Sequence, residues 1–144
     1  MTAADRLKLR ARVKVHEGVR LQPYADTNGF LTIGYGRLLD PRRGGGIAPD
    51  EAEYMLANDL RRAERDAETL PVYLDLSPVR QAVLIEMVFN LGLEGVKKFR
   101  RMLSALVQQD YAEAAAEMLD SRWATQVKGR AMEMALQMKT GQWA

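Results

Sequence analysis

The sequence predicts an α+β protein that is mainly α, with one small antiparallel sheet near the front of an otherwise helical chain. Two observations carry this. The turn-forming pair Asn28-Gly29 precedes the β-prone run Phe30-Leu31-Thr32-Ile33. From Pro49 onward, apolar residues recur at helical spacing, beginning with the stripe Ala52, Leu56, Leu60, Ala63, Ala67 and Leu70. At 144 residues the chain is long enough for one domain, or for one domain with two lobes. A chain of that size buries roughly 70% of its unfolded surface and folds without covalent staples.

The elements follow in order. Leu7 to His16 satisfies two periods at once. Leu7, Leu9, Ala11, Val13 and Val15 alternate with basic residues as in a strand, yet Leu9/Val13 and Leu7/Ala11/Val15 are also helical neighbours, with Gly18 as a stop. Composition leaves that segment open. Pro23 to Asp40 reads as the sheet, and Pro41 to Gly46 as a flexible break. Pro49 suits a first helical turn, with Asp50 and Glu51 against the positive helix end. This helix is expected to run to Leu70 and to connect two lobes. Ser77-Pro78 opens a further helix, apolar through Phe89 and ended by Gly92. Helices are also expected around Phe99–Val107, Tyr111–Leu119 and Arg130–Lys139, the last stopped by Gly141. Met102, Met118, Met134 and Met138 fall at core spacing and read as packing. The organisation expected is a single domain: residues 1–48 as helix plus sheet lobe, 49–70 as connecting helix, and 71–144 as helical lobe.

Composition removes most catalytic plans. There is no cysteine and one histidine, His16, so disulfides, thiolate metal sites, a histidine metal cluster and a Cys-His dyad are excluded. Gly34-Tyr35-Gly36 is not followed by the Gly-Lys-Ser/Thr of a phosphate loop. No metal or cofactor is expected. No apolar run approaches a membrane span, and Met1 to Arg6 lacks the apolar core of a secretory signal. The net charge of +2 is unevenly spread: residues 1–20 hold six Lys/Arg against two acids, residues 50–75 eight acids against three Arg. Such a basic patch suits an anionic cell wall, membrane or nucleic acid, and equally a solvated helix face.

Carboxylate chemistry remains. Glycoside hydrolysis needs one acid to protonate the leaving oxygen and a second carboxylate to activate water or stabilise charge on the sugar. Glu17 closes the first segment, Asp26 lies nine residues on at the start of the turn, and Thr32 six beyond that in the returning strand.

The longer string Glu17-Gly18-Val19-Arg20-Leu21, Tyr24, Asp26-Thr27 and Gly29 to Gly36 closely resembles the active-site region of the T-even bacteriophage lysozyme family. Val88-Phe89-Asn90-Leu91-Gly92 with Gly95-Val96 and Phe99 resembles its central helix. Ser121-Arg122-Trp123, Gln126, Arg130-Ala131 and Thr140 to Trp143 resemble its C-terminal helices. The resemblance implies a two-lobed lysozyme-like fold with the first segment helical and Glu17 at its C-terminal end, facing the cleft. It implies Glu17, Asp26 and Thr32 as the catalytic set, and inverting hydrolysis of peptidoglycan glycan strands. Glu17 would act as acid, with Asp26 as base and Thr32 holding the water. It places Leu38 and Phe89 at glycan-contacting positions, and Arg130 beside Glu17, orienting it. Glu17 must then hold its proton near neutral pH, which partial burial favours and a nearby cation opposes.

The catalytic pairing constrains the hairpin. A two-residue Asn28-Gly29 loop would pair Asp26 with Leu31 and put Asp26 and Thr32 on opposite faces. A three-residue loop, Thr27-Asn28-Gly29 with Gly29 at positive φ, pairs Asp26 with Phe30 and Tyr24 with Thr32, so that the two share a face. The three-residue register is the expectation.

The chain departs from the family where Met102 and Glu117 replace a serine and an asparagine of the glycan wall, where Arg37 replaces a histidine, and where His16 replaces an acid. The Pro41–Gly46 stretch is also much shorter than its counterpart. The expected protein is a monomer that binds neither nucleic acid nor a membrane stably. It would wait in the host cytoplasm for a holin or delivery machine and act in the periplasm. Competing readings are a non-catalytic peptidoglycan-binding or virion structural module, membrane disruption by basic helices, and a lytic transglycosylase.

Overall fold

The computed structural model describes every residue from Met1 to Ala144 and divides into two compact units, residues 1–53 and 54–144.

The first unit opens with helix α1, Ala3–Glu17, which resolves the ambiguous segment as helical. A capping box starts it. The Thr2 hydroxyl accepts from the Asp5 N–H, and the Asp5 carboxylate accepts from the Thr2 N–H. Gly18 ends it at φ +65, its N–H donating to the Lys14 carbonyl. None of its residues is buried, so neither a strand nor a helix period had a core to impose it.

Three antiparallel strands follow in the order β1-β2-β3: Arg20–Ala25, Leu31–Gly34 and Arg37–Leu38. β1 carries Pro23, which an edge strand tolerates, and its register with β2 shifts between Arg20 and Tyr24. Tyr24 pairs with Thr32, and Thr32 with Leu38. The Asp26 N–H donates to the Phe30 carbonyl, and Gly29 turns at φ +79. This is the three-residue loop.

The Pro41–Gly46 stretch, expected as a flexible break, contains a short element. Pro41–Arg43 forms a 3-10 helix capped by Asp40. The buried Asp40 carboxylate accepts from the N–H, Nε and Nη2 of Arg42 and from the N–H of Leu31, which pins this turn to β2. Arg42 holds that carboxyl well below the usual range; burial opposes the shift, and the two backbone N–H groups add to it. Nearby, Arg37 makes a two-pronged bond to Glu51 at 2.6 Å on each arm, while Glu51 also accepts from the Ala48 N–H. Those contacts lower the Glu51 pKa to about 2, the Arg37 bond contributing most.

Helix α2, Pro49–Ala67, begins in the first unit and continues into the second. It stops short of Leu70 because Pro71 disfavours helical geometry in the residue before it. The Thr69 hydroxyl caps the Asp66 carbonyl, and Leu70 is buried in the turn instead.

The second unit completes the helices. α3 spans Pro78–Lys97: Gly92, expected as its end, is instead a break at φ +73, beyond which helix resumes to Lys97. Its N-cap Ser77 makes no capping bond, and the buried hydroxyl has no partner. α4, Arg100–Val107, and α5, Tyr111–Leu119, are followed by α6, Arg122–Val127, and α7, Gly129–Thr140. Asp110 and Ser121 cap α5 and α6, and Gly141 ends α7 in the left-handed region. Leu84, Met87, Met102, Leu106, Met118 and Met138 are fully buried between them. Each such side chain contributes roughly 1.5–3 kcal/mol by leaving water. Met134, at 4% exposure, completes the four methionines expected as packing.

Candidate active site

The sheet unit carries all three predicted residues: Glu17 on α1, Asp26 just after β1 and Thr32 on β2. Glu17 is the last residue of α1, so the Gly18 stop sets where its side chain leaves the helix. The sheet unit gives it no burial: Glu17 is exposed, with its carboxylate against Gly36.

Asp26 and Thr32 meet around the Phe30 peptide. The Asp26 Oδ1 accepts from the N–H groups of Asn28 and Phe30, both at 2.9 Å. The Phe30 carbonyl in turn accepts from the Asp26 N–H at 2.9 Å and from the Thr32 hydroxyl at 3.0 Å. These bonds leave the Asp26 Oδ2 without a protein donor. Tyr24, Thr32 and Leu38 are direct cross-strand partners, and Asp26 lies two residues beyond Tyr24, so all four share one face. Thr32 is buried at 5% exposure and Asp26 is half-buried.

In the helical unit, Phe89 is 41% exposed and stands outside the buried core. With Leu56, Leu60, Ile85, Glu86 and Arg130 it lines a largely apolar groove. The Arg130 Nε donates to Glu86 at 2.8 Å, a partner that sequence reasoning did not name. Glu86 lies one turn before Asn90 on α3, so its helical register was the available signal. Met102 is fully buried and presents no side chain to a ligand. Glu117 is half-buried, with Arg101 3.8 Å away. Glu117 borders an open pocket with Phe99, Trp123 and Arg122. Trp123 donates its indole N–H to Asn90 at 2.7 Å and meets Phe99 edge-on. No group of three His, Asp or Glu side chains comes together in a way that could hold a metal ion.

Comparison with known proteins places the chain among the lysozymes, a class of glycoside hydrolases. It belongs to the phage lysozyme family, whose model matches residues 14–139. The probable T4-type lysozyme 1 of Dictyostelium discoideum is 28% identical over 92% of this chain and 94% of its own length. The pre-baseplate central spike protein Gp5 of Enterobacteria phage T4 is 33% identical over 87% of this chain, which spans only 26% of that protein. An endolysin of Acyrthosiphon pisum secondary endosymbiont phage 1 is 28% identical over 74% of the chain and 72% of its own length.

Proposed function

We propose that this lysozyme is an endolysin-type muramidase. It hydrolyses the β-1,4 bond between N-acetylmuramic acid and N-acetylglucosamine in bacterial peptidoglycan, with inversion. The observation that carries the reading is the shared Phe30 peptide. Thr32 gives its hydroxyl hydrogen to the Phe30 carbonyl, so toward a ligand its oxygen offers only lone pairs. Asp26 has one oxygen committed to backbone N–H groups and the other open. A water lying between them donates one hydrogen to each and keeps a lone pair for the anomeric carbon.

In the reaction, the water oxygen bonds to the anomeric carbon as the bond to the glycosidic oxygen breaks. Glu17 delivers its proton to the departing oxygen, and Asp26 takes one from the water. Leu38 stands beside Thr32 on the same sheet face and is proposed to contact the sugar. For Phe89 the family resemblance supports glycan contact, and its exposure supports it further. Action in the periplasm by a monomer, reached from the host cytoplasm through a holin or delivery machine, is part of the same proposal.

The test is turbidity clearing of chloroform-treated Gram-negative cells by wild type and Glu17→Gln. Clearing by wild type, abolished in a variant that still folds, is expected. Unchanged lysis by Glu17→Gln would remove the hydrolase assignment. A second reading, a virion module that binds peptidoglycan without cutting it, is favoured by the likeness to the spike protein. It requires that wild type clear nothing. Anhydro ends on the released muropeptides would instead mean transglycosylation.

A further inference from the structure

We propose that Gly36 is a positioning residue for Glu17, and that the turn Gly34-Tyr35-Gly36 exists to place a bare α-carbon against the catalytic carboxyl. This rests on the reading of Glu17 as the acid. A β-carbon on Gly36 would lie 3.2 Å from the Glu17 Oε2 and 3.7 Å from its Cδ, with nothing else within 4 Å. That space is set by the carboxyl alone. Gly36 also turns at φ +82, where side chains are disfavoured.

Two residues earlier, Gly34 supplies an internal comparison. It turns at φ +68 in the same connection, yet a β-carbon there would meet nothing within 4 Å. Backbone geometry accounts for Gly34 completely and for Gly36 only in part. Between them, Tyr35 takes the Lys14 ammonium over its ring at 5.4 Å and borders a recess with Leu9 and Val13. The turn is thereby laid on the last turns of α1, beside the residue whose carboxyl it confines. A side chain at 36 would displace Oε2 by a few tenths of an ångström or turn it to another rotamer. A 1 Å misplacement of a reacting group costs about a hundredfold in rate, so a loss of about tenfold is expected.

The experiment compares Gly34→Ala, Gly36→Ala and Gly36→Asn, with Glu17→Gln alongside, by thermal melting and by clearing rate across pH. Asn accepts positive φ more readily than Ala, so it keeps a folded protein that still bears a β-carbon. The two Ala variants should lose comparable Tm. Only the position-36 variants should lose about tenfold in rate, with a displaced alkaline limb of the pH–rate profile, the limb on which a general acid deprotonates. Position-36 variants that match Gly34→Ala in rate and profile, while Glu17→Gln is inactive, overturn the proposal and leave the acid assignment standing. An active Glu17→Gln overturns both.

Discussion

Asp26 and Thr32 bond to one atom, the carbonyl oxygen of Phe30, which receives the Asp26 N–H at 2.9 Å and the Thr32 hydroxyl at 3.0 Å. The Phe30 N–H closes the clamp on the Asp26 carboxylate at 2.9 Å. The backbone N–H and C=O of one residue, Phe30, thus fix the base and the hydroxyl relative to each other, without a direct bond between them that would use up the groups needed for water.

Asp26 has separable structural and chemical roles. Asp26→Asn keeps an oxygen for the Asn28 and Phe30 N–H groups, so stability should fall by less than about 1 kcal/mol. Asp26→Ala strips both donors of their partner and should cost about 1–2 kcal/mol. Cell clearing should fall by about 10²–10⁴-fold in either variant, the usual contribution of a general base. Urea melts and clearing rates measured together decide the matter. Wild-type clearing by Asp26→Asn would remove Asp26 from the chemistry.

Asp40 predicts an acid-dependent stability. Its folded pKa is depressed, chiefly by Arg42, so its contribution is complete above the unfolded value near ~3.9 and is lost as pH falls toward the folded value. The Tm advantage of wild type over Asp40→Asn should be largest at pH 5 and shrink steadily toward pH 2. A difference that stays constant across that range would mean the Asp40–Arg42 pair does not control the acid limb.

Met102 stands where the family carries a serine, yet it is fully buried. Met102→Ser should therefore cost about 2–5 kcal/mol, as other large-to-small core substitutions do, without improving glycan binding. A shift of the urea midpoint measures the first, and pelleting with purified cell wall the second. A stable variant with tighter wall binding would return position 102 to the glycan surface.

Short-range signals in the chain specified much of this protein. The hairpin register followed from the family resemblance, which makes Asp26 and Thr32 partners that must share a face, together with the strict alternation of side chains along a strand. Gly18, Gly92 and Gly141 marked helix ends or breaks where they occur, and Met102, Met118, Met134 and Met138 announced a core by their spacing. The helical nature of α1 was also written locally, in Thr2 and Asp5, but its apolar pattern obscured it because the helix buries nothing.

Tertiary structure alone decided contacts between residues distant along the chain. Nothing in the composition of Pro41–Gly46 says that Asp40 will reach the N–H of Leu31 and order the turn around itself. Nor does Gly36, nineteen residues after Glu17, betray in sequence that a carboxyl rests on its α-carbon. Periodicity and turn chemistry act over a few residues, whereas those two contacts exist only where the path of the backbone closes a loop.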